Sequence, residues 1–131
     1  MKKDYKKQLS RIMSNKNKKI LVVLGGTSRE RQVSLDSGKA CIKALQKKEY
    51  NVLKFDPKFK NLNLINKNKI DVIFNALHGK DGEDGVAQSY FEYLKIPYTH
   101  SGVVSSYNAM NKIISKEIFI KNKIKTPKFL T

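Results

Sequence analysis

Residues 18–38 read KKILVVLGGTSRERQVSLDSG. The run Ile20–Leu24 is apolar and mostly β-branched, as a strand covered on both faces of a parallel sheet requires. Two glycines end it, hydroxyl and charged residues follow, and from Gln32 to about Lys47 Val33, Ser37, Ala40, Cys41 and Ala44 recur at helical spacing. Strand, glycine-rich turn and helix in that order are the opening of an α/β unit.

The rest of the chain repeats the theme. NVLKFD (51–56) reads as a second strand, and 56–69 as a polar connection with a short helix. IDVIFNAL (70–77) is a third strand and HGKDGEDG (78–85) a loop. Ala87, Tyr90, Phe91 and Leu94 mark a helix, and IPYTH (96–100) a short fourth strand. Residues 101–123 read as one or two helices, and 124–131 as an extended exit, since Thr126 precedes Pro127. The expected architecture is a Rossmann-like open, mainly parallel α/β sheet of about four strands with helices on both faces. Right-handed crossovers bring the carboxyl ends of parallel strands to one rim, where such sheets bind ligands. Loops 25–32 and 78–85 are therefore expected to meet there, joined by His100–Gly102.

Composition narrows the function classes. The 131 residues carry a formal net charge of +16, and residues 1–19 hold eight basic groups against one acid. A nucleic-acid-binding module is one reading. Lys, Asn and Ile, however, make up 47 residues, arginine is scarce, and no basic run is interleaved with aromatics. Biased composition is the simpler account, and nucleic acid is not an expected partner. The single cysteine, Cys41, has no disulfide partner or metal-site spacing and is expected to be a small buried hydrophobe in a reducing cytoplasm. No apolar run approaches the ~20 residues that span a bilayer, and residues 1–18 lack the apolar stretch of a secretory signal. They are expected to be a flexible basic leader.

In the first loop, glycines allow close backbone approach, and the helix start offers free N–H groups to an anion. Glu30 sits in the same loop. A carboxylate beside an anion-attracting helix end suits a zwitterion such as an amino acid, with Glu30 on the ammonium. Glu30 is equally read as a complement to the helix dipole. The loop is neither a dinucleotide fingerprint nor a P-loop. His78 is read either as structural or as a group that binds ligand or orients Glu30. Asp81, Glu83 and Asp84 do not match an EF-hand and read as a solvated turn, with Asp84 as N-cap of the next helix.

Three motifs, GGTSRERQVSLDSG (25–38), NALHGKDGEDGVAQ (75–88) and IPYTHSGVVSSYNAMNK (96–112), strongly resemble the amino-terminal, preATP-grasp domain of D-alanine–D-alanine ligases. The resemblance runs from about Lys19 to Thr131. It implies a domain over 19–125, a connection at 126–131 toward an ATP-grasp domain, and a cytoplasmic ATP-dependent carboxylate–amine ligase of peptidoglycan synthesis. In that family ATP phosphorylates one D-alanine, and the amine of a second attacks the acyl phosphate. ATP and Mg2+ are held mainly by the ATP-grasp part. The resemblance assigns the first D-alanine to Glu30, with Val33, Ser34 and His78 beside it, and the ATP phosphates to Lys112, which otherwise reads as a solvated helix lysine. It supplies no metal ligand here. It implies that this stretch alone is inactive, that D-alanine and the ATP-grasp domain are its partners, and that a homodimer is compatible. Gln32 and Asn111 stand where the family commonly has acids. Another ATP-grasp ligase with a different acid substrate is the nearest alternative.

Overall fold

The computed structural model describes residues 17–129. The leader expectation falls almost wholly on residues 1–16, outside the described residues, as are 130–131.

Three parallel strands form the sheet: β1 (Lys19–Val23), β2 (Asn51–Phe55) and β3 (Val72–Asn75), in the order β2-β1-β3. The strongest apolar run, β1, is central and pairs on both sides: Ile20 lies opposite Val52 and Val72, and Val23 opposite Phe55 and Asn75. Alternation along β1 feeds two cores. Leu21 and Val23 face a cluster with Ile73, Leu62, Ile65, Ala87, Phe91 and Ile96. Ile20, Val22 and Leu24 face another with Ala76, Leu35, Ile42 and Leu45.

Helix α1 (Arg31–Lys47) covers the second cluster. Helix α2 (Val86–Tyr93) and two 3-10 turns (Leu62–Leu64, Lys67–Lys69) lie with the first. Helices α3 (Val103–Met110) and α4 (Lys112–Lys121) pack on each other. Asn111 starts α4 with its side chain, accepting the Ile113 and Ile114 N–H groups at 3.1 Å each.

Three expectations need correction. The inward stripe of α1 is Ser34, Leu35, Gly38, Ile42 and Leu45, with Val33, Ala40 and Ala44 exposed and Cys41 only half-buried. The helix is turned by about one residue because it approaches β1 closely. A Cβ at position 38 would lie 2.6 Å from the Cβ of Leu24, so only glycine fits and the phase is set by it. The fourth strand is reduced to one bridge, Ile73 to Tyr98, held by Ile73 N–H to Pro97 O (2.8 Å) and Thr99 N–H to Ile73 O (3.0 Å). Proline lacks the donor that would extend the ladder. Residues 124–129 form no strand. Lys116 Nζ instead ties them to α4 through Thr126 Oγ1 and Pro127 O, each at 3.0 Å.

Candidate substrate site at the carboxyl rim of the sheet

Leu24 and Leu77 follow the carboxyl ends of β1 and β3, and both loops emerge on the same rim. Ser34 welds them. It is fully buried, donates its hydroxyl to Ala76 O (2.6 Å) and accepts the Gly25 N–H (2.7 Å). A second weld lies further out, where Ser28 Oγ donates to His78 O (2.7 Å) and accepts the Glu30 N–H (3.1 Å). Both serines sit in the loop–helix junction because a short hydroxyl can satisfy backbone groups that the turn leaves unpaired.

The welds bring Glu30 against the second loop. Gly79 adopts φ +69°, and a Cβ there would come within 2.6 Å of Glu30 Oε1. The ring of His78 is held on both sides, its Nε2 hydrogen-bonded to Ser37 Oγ at 3.0 Å and its Nδ1 3.4 Å from Glu83 Oε1. Glu83 Oε2 in turn accepts the Gly79 N–H at 2.8 Å. One ligand atom each from Glu30, His78 and Glu83 lies within 4.8 Å of the others. Among the described residues, no hydrogen bond or ion pair reaches the Glu30 carboxylate, which is exposed, and the Gln32 and Val33 N–H groups of the first helical turn have no acceptor.

On the β2 side, Arg31 and Asp56 close the rim with two hydrogen bonds, Nη2 to Oδ2 at 2.8 Å and Nη1 to Oδ1 at 3.0 Å. Asp56 also accepts the Gly26 and Lys58 N–H groups at 3.0 Å each. Burial pushes the Asp56 carboxyl upward, but the hydrogen bonds from Arg31, Lys58 and Gly26 outweigh it and hold its pKa below the ordinary value. An open cleft of about 440 Å3 lies between Gly25–Ser28, residues 57–62 and Leu77–His78. Glu30 is not among its walls.

The third expected contributor arrives through Asn75. Its N–H donates to Thr99 Oγ1 (3.0 Å), and its Nδ2 lies 3.1 Å from His100 Nδ1 and donates to Gly82 O (3.0 Å). Within the acidic turn Asp81 is exposed, as expected of a solvated turn, whereas the partly exposed Glu83 faces His78. The residue bounding α2 is Gly85, not Asp84, although Asp84 Oδ1 still accepts the Val86 N–H at 3.2 Å.

Of the residues singled out from the sequence, Glu30 and His78 are thus together. Val33 is exposed one turn along α1 from Glu30, and Ser34 lies beneath them with its hydroxyl already engaged. Lys112 is exposed at the start of α4, and no hydrogen bond among the described residues ties it to the loop cluster. Sequence reasoning missed Arg31, Asp56, Ser37 and Glu83. Asp56 carried a signal, because it directly follows β2 and the rim rule applies to it as to Leu24 and Leu77.

A family profile described as the D-ala D-ala ligase N-terminus matches residues 55–101. The D-alanine–D-alanine ligase of Pelagibacter ubique is 59% identical over 114 residues, covering 86% of this chain and 37% of that protein. Most of the chain is a D-alanine–D-alanine ligase amino-terminal domain. The Methylobacterium radiotolerans ligase is 51% identical over 102 residues, 78% of this chain and 33% of that one. The ligase domain also matches in three dimensions. The crystal structure of the Bacillus anthracis enzyme complexed with ATP aligns with a TM-score of 0.75 at 42% identity, over 85% of this chain and 38% of its own. The chain therefore spans about a third of the length of these homologous D-alanine–D-alanine ligases.

Proposed function

We propose that this domain is the D-alanine-facing part of a D-alanine–D-alanine ligase. Such an enzyme joins two D-alanines for peptidoglycan through an acyl phosphate made with ATP. The observation that carries this reading is the Glu30 carboxylate, without a hydrogen bond or ion pair among the described residues and set beside His78 on the shared rim. An incoming ammonium is the complement it lacks. Burying that donor against a carboxylate makes a charge-assisted hydrogen bond of about 1.5–3 kcal/mol. The N–H groups of Gln32 and Val33, unpaired among the described residues, give the same corner its positive counterpart, so both ends of a zwitterion find a partner. His78, fixed by Ser37 and Glu83, borders the ammonium seat, and Ser34 holds the two loops in register beneath it.

Magnesium needs several oxygen ligands around one point. The grouped donors here are two carboxylates and one imidazole, and His78 and Glu83 are already engaged with each other, so on this reading the group is not its seat. On this reading Mg2+ and most of the ATP contacts belong to the ATP-grasp part of the ligase, reached through 126–131. Lys112 contributes a cation toward the ATP phosphates once that part is docked, and residues 19–125 alone do not turn over ATP. The protein works in the cytoplasm, and no helix among the described residues is long and apolar enough to cross a membrane.

The test is a pair of assays. The 131-residue chain, incubated with ATP, Mg2+ and D-alanine, is expected to release no ADP above background. A chimera joining it to the remaining part of the Pelagibacter ligase is expected to release ADP when D-alanine, but not L-alanine, is added. A chimera that folds yet ignores D-alanine would contradict the reading.

A further inference from the structure

The sheet has two edges, and they are treated differently. The outer edge of β3 is occupied by the Tyr98 bridge. The outer edge of β2 has no strand beside it among the described residues. Phe55 turns its carbonyl inward, accepting the Leu24 N–H at 3.0 Å. Successive residues of a strand present their polar groups to opposite sides, so those of Val52 and Lys54 face outward. An open edge of this kind is a template for another strand.

A broad groove of about 1350 Å3 runs along that edge. Leu35 and Ile42 of α1 form one wall, and Phe59, Leu64 and Ile70 of the connection form the other. Leu53, Phe59 and Leu64 expose 42%, 72% and 67% of their surface, which is more apolar area than a solvated edge needs. Charge then selects the occupant. Lys39, Lys43, Lys54, Lys60 and Lys69 all line the groove, and all are exposed. Its one acid, Asp56, is already neutralised by Arg31. A second copy of this chain pairing β2 against β2 would set five lysines against five, so self-association is opposed.

We propose that the β2 edge is a docking site for an extended acidic segment of a partner protein, added as a fourth strand. Its backbone pairs with Val52 and Lys54, its central apolar side chains enter the two walls in alternation, and its flanking carboxylates meet the lysines. This surface lies outside the Glu30–His78 corner, and its occupancy does not depend on the ligase reading.

The test uses the full 131-residue chain and a fluorescein-labelled octapeptide, Asp-Glu-Val-Ile-Val-Phe-Glu-Asp, followed by fluorescence anisotropy. Two comparison peptides are needed, one with every acid replaced by lysine and one with alternate backbone nitrogens methylated. The acidic peptide is expected to bind at least about tenfold more tightly than either, and to weaken at least about tenfold in 0.5 M salt. Lys43→Glu and Lys54→Glu, both at exposed positions, should each weaken it with unchanged circular dichroism. Amide signals of Val52 and Lys54 should shift on binding. No binding, equal binding of the acidic and lysine peptides, or insensitivity to backbone methylation overturns the proposal. So does sedimentation of the free chain as a dimer that Lys54→Glu alters, because a second copy would then be the occupant.

Discussion

Replacing Ser34 with alanine tests whether the two loops are held together as described. The hydroxyl is fully buried and serves two backbone groups, donating to Ala76 O at 2.6 Å and accepting from Gly25 N–H at 2.7 Å. Ser34→Ala removes both bonds and leaves a buried donor and a buried acceptor without partners. Each such orphan costs about 1–3 kcal/mol, and the cavity left by one oxygen is small, so the expected loss is roughly 2–6 kcal/mol. For a chain of this size that is a fall in Tm of roughly 8–24 °C. Thermal unfolding by circular dichroism, repeated in guanidinium chloride to check that the m-value is unchanged, measures it. The backbone amide of Gly25 should also lose protection against hydrogen exchange. A Tm within about 2 °C of the parent would show that Ser34 does not weld β1 to β3. Its assignment would then return to direct substrate contact alone.

Other consequences can be checked in the same preparations. Gly38→Ala places a Cβ 2.6 Å from Leu24 Cβ and should cost about 1–3 kcal/mol in the same unfolding assay through overpacking, despite alanine's higher helix propensity. Asp56 titrates below its ordinary value of 3.8 in the folded chain. Its contribution to stability is therefore complete above that value and is lost as pH falls through the lower folded pKa. The Tm gap between the parent and Asp56→Asn should narrow from pH 6 to pH 3, and a constant gap would remove this linkage. Burial, with help from the bond Tyr98 OH donates to Glu92 Oε1 at 2.8 Å, pushes the Tyr98 phenol up to about 12. An alkaline absorbance titration should show one tyrosine ionising after the others, and Tyr98→Phe should abolish that late step.

Much of this molecule was legible in its sequence because the strongest signals are local. A β-branched run ended by Gly25 and Gly26 can hardly be anything but a buried strand entering a tight turn. Two such strand ends, at Leu24 and Leu77, place Glu30 and His78 on one rim by topology alone. The phase of α1 was not legible, because the inward positions Ser34 and Gly38 are not hydrophobic. They were selected for the closeness of the Leu24 contact, which hydrophobic periodicity cannot detect. The fourth strand failed for the opposite reason. IPYTH has strand composition, but Pro97 withholds the donor a ladder needs, and a single bridge remains. Arg31–Asp56 and the Ser37–His78–Glu83 chain are long-range meetings of polar side chains. Nothing in the spacing of such residues announces a partner 25 or 41 positions away.

The central claim is that the carboxylate of Glu30 receives the amino group of the first D-alanine. Steady-state kinetics of the chimeric ligase, comparing the parent with Glu30→Gln at varied D-alanine, tests it most directly. Loss of a charge-assisted bond of about 1.5–3 kcal/mol predicts a kcat/KM for the first D-alanine lower by roughly 10- to 150-fold. The KM for ATP and the unfolding temperature should stay unchanged. A variant that uses D-alanine as well as its parent would contradict the account.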